Sequence, residues 1–167
     1  MRVFYEDWQM ECCGTPFAVG DEVAWRLVAH DAEDIRQGWG YGAGARVEHH
    51  GAGPDDDDTD RARTTGRVHA IELVRQEHLA YTDRRALERL DRAQAGDGGK
   101  PVILPSPYQM EAVPGAHTLQ AVDRCPKWFE REEPGRSPGP HRVRHAVGVL
   151  VTLDVPGGTP SQPCDPR

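Results

Sequence analysis

From residue 142 onward polar and apolar positions alternate over a long stretch. Val143, His145, Val147, Val149, Val151, Leu153 and Val155 occupy every second place, with Arg142, Arg144, Gly148, Thr152 and Asp154 among the residues between them. A period of two sends successive side chains to opposite faces, so this stretch predicts a long half-buried strand. A turn at Val19-Gly20-Asp21-Glu22 leads into a second alternation, Val23, Trp25 and Leu27 against Glu22, Ala24 and Arg26, which also predicts a strand and a buried Trp25. Residues 66–74 form a third segment rich in β-branched side chains, and 3–5 and 118–122 are shorter candidates.

The period changes once. Between Asp83 and Ala95, Leu87 and Leu90 share a helical face, Asp83 suits the first turn, Glu88 precedes Arg92 by four, and Gly96 can end the helix. The expectation is therefore a mainly β protein, a small decorated β-barrel or sandwich of about five or more strands with one short helix near 83–95. The connections 38–46, 50–65, 96–101, 131–141 and 156–167 are rich in Gly, Pro or Asp. A chain of 167 residues fits one core, here placed at 1–155, with a Pro/Gly-rich tail from 156.

Composition and charge narrow the partners. The net charge is −7, and the arginines of 61–92 are interleaved with acids rather than gathered in a basic stripe, which argues against nucleic acid. Acids at Glu6 and Asp7 interrupt the place of a signal peptide, and no apolar run approaches the ~18 residues of a membrane span. A cytoplasmic protein with no membrane partner is expected, its four cysteines reduced. Eighteen Arg against two Lys, three Ile and no Asn reflect a GC-rich genome and suggest a bacterial source.

Few residues carry candidate chemistry. Cys12-Cys13-Gly14-Thr15-Pro16 is expected in a turn between the first two strands, where two thiols could meet a soft metal, and His49-His50 could complete a zinc site. Adjacent cysteines lack the usual spacing of zinc ligands, so the competing reading buries one thiol as a small hydrophobe and leaves the histidines in solvent. Glu11 beside Cys12 also disfavours a reactive thiolate. Asp56, Asp58 and Asp60 match the start of a calcium loop, but Arg61 stands where that loop needs Gly and Arg67 where it needs Glu. Gly38-Trp39-Gly40-Tyr41-Gly42-Ala43 fits a dinucleotide pattern only loosely, because an Asp run and not a helix follows it. Three serines, none in a Gly-x-Ser-x-Gly elbow, leave little material for a serine hydrolase. Trp39 and Trp128 are the aromatic residues expected to line a ligand-binding groove.

The segment Asp7-Trp8-Gln9-Met10-Glu11-Cys12-Cys13-Gly14-Thr15-Pro16-Phe17, with Glu48-His49-His50-Gly51 later, resembles a family of small actinobacterial proteins known only as a domain of unknown function. The likeness runs over most of 1–155 and implies a cytoplasmic protein, with no activity, cofactor or catalytic residue to carry over. The leading expectation is a non-catalytic binding or interaction module for a protein or a small molecule, with no cofactor. An acidic protein of this size could also neutralise a basic protein partner such as a toxin. The alternative is a zinc-binding protein or metal-dependent enzyme using Cys12, Cys13, His49 and His50.

Overall fold

The computed structural model describes residues 1–30, 32–49, 63–95, 106–136 and 139–156. Strand β1 (Arg2–Glu6) runs directly into helix α1 (Asp7–Cys12). Strands β2 (Glu22–Trp25) and β3 (Leu27–Ala29), helix α2 (Ala32–Gln37) and strand β4 (Ala45–Val47) follow. The long strand β5 (Thr64–Thr82), helix α3 (Arg84–Ala95) and the strands β6 (Tyr108–Val122) and β7 (Pro140–Asp154) complete the chain. Among the described residues no helix is long and apolar enough to cross a membrane.

All seven strands join one sheet. Its path runs β2-β5-β7-β1-β4-β3, and β6 pairs with β5 beyond β2 on the same edge. β2 and β3 are two halves of a single run broken at Arg26. The first half pairs with Thr64–Arg67 of β5 and the second with Ala45–Val47 of β4. The bent segment 22–29 therefore brings the two ends of the sheet together and nearly closes it into a barrel. Closure satisfies the edge groups that an open sheet would expose.

The barrel core follows from the alternation. Val3 and Tyr5 of β1 point inward with Met10, Phe17, Trp25, Val47, Ile71, Val149, Val151 and Leu153, all buried. Phe4, between Val3 and Tyr5, lies on the outer face and packs with Tyr41, Ala43, Val74 and Leu150. Burial of an aliphatic or aromatic side chain of this kind is worth about 1.5–3 kcal/mol, which makes this cluster the main source of stability.

The long alternation of β7 does not keep one face. Gly148 lies opposite Val74, yet Ala146 lies opposite Arg75, so Val147 is an extra residue and forms a bulge. Ala146 joins the inner cluster while Val147 turns to the outer one. Gly148 is needed at this corner: its φ is 149°, and a methyl group there would collide with the Tyr5 carbonyl oxygen of the neighbouring strand.

The mainly β architecture, the barrel-like sheet, the buried Trp25 and the helix at 84–95 agree with the expectations from sequence. The described residues hold three helices rather than one, and the Cys pair lies at the end of α1, not in a plain turn. Six-residue helices such as α1 and α2 complete fewer than two turns, too few for a 3.6-residue period to register. β5 and β6 also run well beyond the predicted 66–74 and 118–122.

Candidate functional site

The site is built around the passage from β1 into α1. Glu6 is the extended residue before the helix, and Asp7 places an acid in its first turn, where the helix dipole favours one. Gln9 follows, fully buried, and uses its whole amide. Its Nε2 donates to Glu6 Oε2 at 2.7 Å and to the Val47 carbonyl at 2.8 Å, and its Oε1 accepts from the His49 backbone N–H at 2.9 Å. Gln9 thereby ties α1 to β4 and fixes the backbone that carries His49.

His49 Nε2 meets the Tyr5 hydroxyl in a very short hydrogen bond. Burial, with smaller contributions from Cys125 and Cys13, pushes the Tyr5 hydroxyl well above the usual tyrosine range, so it keeps its proton. The phenol donates when the imidazole carries its proton on Nδ1, and accepts when Nε2 carries it. The Tyr5 ring stacks on Phe17 at 6.0 Å and meets Trp25 edge-on at 5.4 Å, and Phe17 and Trp25 are 4.9 Å apart.

These rings form one wall of a cleft of about 430 Å³ at the mouth of the barrel. Cys13, Thr15 and Pro16 line it from the loop after α1, and Asp21, Glu22, Val23 and Ala24 from β2 and the residue before it. Apolar rings with a few convergent polar groups are the usual make-up of a small-molecule site.

Cys12 and Cys13 are both exposed, the latter being the C-cap of α1. The Cys13 thiol donates to Cys12 Sγ at 2.8 Å, and this bond holds the Cys13 thiol above its usual range. Lys127 Nζ donates to the Met10 carbonyl at 2.7 Å and the Gly14 carbonyl at 3.0 Å, bracketing the pair. Any side chain at Gly14 would run into Met10, so the glycine lets the chain fold back tightly against α1.

The burial expected for one of these thiols is therefore wrong. The inward-facing cysteine is Cys125, whose thiol burial pushes up to about 12. Of the candidate zinc ligands, Cys13 and His49 line one cleft, while His50 lies outside the described residues, as does the run Asp55–Asp60. Among the described residues no group of three or more His, Cys, Asp and Glu is placed to hold a metal ion.

The two aromatic candidates are not brought together. Trp39 lines a second cleft, about 410 Å³, on the outer face with Phe4, Tyr41, His30, His78, Asp34, Glu6, Asp7 and Arg46. Trp128 is 70% exposed and lies beneath Lys127, whose Nζ is 5.8 Å from the ring centroid. The carboxylates of the second cleft have partners: Asp7 holds Arg131 at 2.8 Å, and Glu6 holds Gln9 and, at 3.5 Å, Arg46. Sequence reasoning overlooked Tyr5 and Gln9. Tyr5 sits in an ordinary strand alternation, and only the adjacency of Gln9 to the Cys pair marked it.

The fold and this cleft define a decorated β-barrel with an aromatic-walled mouth. The chain belongs to the Family of unknown function (DUF6578), whose model matches residues 1–155. Comparison with curated proteins and with solved structures gives no match.

Proposed function

We propose that the protein is a non-catalytic binding module that takes a small molecule at the mouth of the barrel. The observation that carries this reading is the cleft of about 430 Å³ in which the Tyr5, Phe17 and Trp25 rings adjoin the Tyr5–His49 pair. Rings suit an apolar or planar body, the phenol–imidazole pair suits a hydrogen-bonding head, and Asp21 and Glu22 at the rim favour a head that donates or carries positive charge. Binding is preferred to catalysis because Cys13, the most nucleophilic type of side chain in the cleft, is held as a thiol by Cys12.

The test is native mass spectrometry of protein purified without denaturation, followed by ligand-observed NMR with small aromatic amines. Binding should fall about tenfold in His49→Ala, in line with the loss of one hydrogen-bonding partner of the ligand, and persist in Trp39→Ala. Loss in Trp39→Ala with His49→Ala unaffected would move the ligand to the outer cleft and overturn the reading.

A second reading is zinc held by Cys12, Cys13 and His49 with His50, favoured by the placement of Cys13 and His49 in one cleft. In it His49 would ligate through Nδ1 and keep its Nε2 bond to Tyr5, or give that bond up and ligate through Nε2. Near-stoichiometric zinc in protein purified without chelator, lost in the Cys12→Ala/Cys13→Ala variant, would bring it to first place.

A further inference from the structure

Two thiols on adjacent residues, both open to solvent and 2.8 Å apart, do not fit the two ordinary reasons for cysteine in a small domain. They are not packed in the core, and among the described residues no third metal ligand stands with them. They are also held in place. The Lys127 ammonium pins the carbonyls of Met10 and Gly14 on either side, and the Cys13 and Gly14 backbone N–H groups both donate to the Gln9 carbonyl at 3.0 Å. The pair is thus presented on a fixed backbone with its sulfurs already converged, which lowers the cost of closing a ring through both.

The ligand count selects the kind of centre that can bridge them. Among the described residues no third ligand converges on the pair, so a tetrahedral ion would find only two of its four partners there. A trivalent pyramidal centre that brings its own third substituent is completed by the two thiols alone.

We propose that Cys12 and Cys13 form a two-thiol chelate for a trivalent thiophilic metalloid, of the arsenite or organoarsenical class. In the binding step two arsenic–sulfur bonds form and two arsenic–hydroxyl bonds break. Each thiol proton leaves with a hydroxyl as water, and nothing is oxidised or reduced. The inference is independent of the small-molecule reading, since it needs neither His49 nor the aromatic wall.

Phenylarsine oxide titrated into the native full-length protein tests it, with intact mass and thiol titration as readouts. One equivalent should be taken up with the loss of two thiols. It should be released by 2,3-dimercaptopropanol and not by the same thiol concentration of 2-mercaptoethanol. Cys12→Ser and Cys13→Ser, both at exposed positions, should each weaken uptake by about 100-fold, the scale of losing the second arm of a bidentate contact. Cys125→Ala and Cys164→Ser should bind as the parent does. Uptake that survives either single substitution, or that appears only after denaturation, would overturn the proposal. Protection of the pair by an equal concentration of zinc would also overturn it, in favour of a tetrahedral site.

Discussion

The barrel and the three-stranded arm formed by β6, the second half of β5 and the first half of β7 are built from the same strands on different terms. In the barrel the first half of β5 and the second half of β7 face β1, β4 and the bent 22–29 segment across an interior of Val3, Tyr5, Trp25, Ile71, Val149 and Val151. In the arm the second half of β5 lies between β6 and the first half of β7, and Gln76 of β5 and His145 of β7 are buried there. Gln76 Nε2 donates to the carbonyls of Glu77, Val113 and Ala116 at 2.7–3.1 Å, and Tyr41 donates to its Oε1 at 3.3 Å. His145 Nε2 lies 3.0 Å from the Glu132 carbonyl, and Arg75 holds Glu130 at 2.9 Å. One strand thus passes from an apolar interior to a region where buried polar groups join apolar ones such as Ala80 and Val143, and the bulge at Val147 marks the change of face on its neighbour.

The comparison makes graded predictions. Ile71→Ala should cost about 3 kcal/mol in urea unfolding, within the range for a fully buried aliphatic side chain. Gln76→Ala should cost about 2 kcal/mol, because three carbonyls lose a donor, and should speed amide exchange selectively around 113–116. If Gln76→Ala proved the more damaging of the two, the arm rather than the barrel would hold the fold together. Arg142→Ala, at the exposed ion pair with Glu77, should change stability by less than about 1 kcal/mol.

A smaller effect depends on pH. Burial, and then the nearby His145, hold the His78 imidazole below the usual histidine range, against weaker support from the Gln76 carbonyl and Asp7. The unfolded chain therefore binds a proton at His78 more readily than the native one. Its contribution is complete above about pH 6.5 and is lost as the pH falls toward the lowered native value. The Tm of the parent should drop between pH 7.5 and 5.5, and His78→Gln should drop less. An equal drop would remove His78 from the account.

Much of the barrel was legible because its strands alternate or are rich in β-branched residues: Trp25 and Val149 to Leu153 read correctly from polarity, and 66–74 from its composition. The arm was less so. β6 is largely exposed on both faces, and its Val113-Pro114-Gly115-Ala116 irregularity depends on Gln76, a residue 37 positions from Val113. At the site, the Cys pair and His49 stood out as residue types, but their setting did not. Tyr5 and Gln9 act through His49, more than 35 residues away, and no local pattern encodes such a partnership.

β1 has a consequence for how the molecule forms. Its neighbours are β4, paired through Val3 and Ala45, and β7, paired through Val3 and Val151. During synthesis its antiparallel partner β7 follows only after β2 to β6, so the ring cannot be completed until β7 has left the ribosome. Pairings between such distant segments are slow to form, because a large loop must be ordered before they stabilise anything. Until then β1 exposes an aromatic edge of Phe4 and Tyr5, and the protein should depend on chaperones more than its size alone suggests.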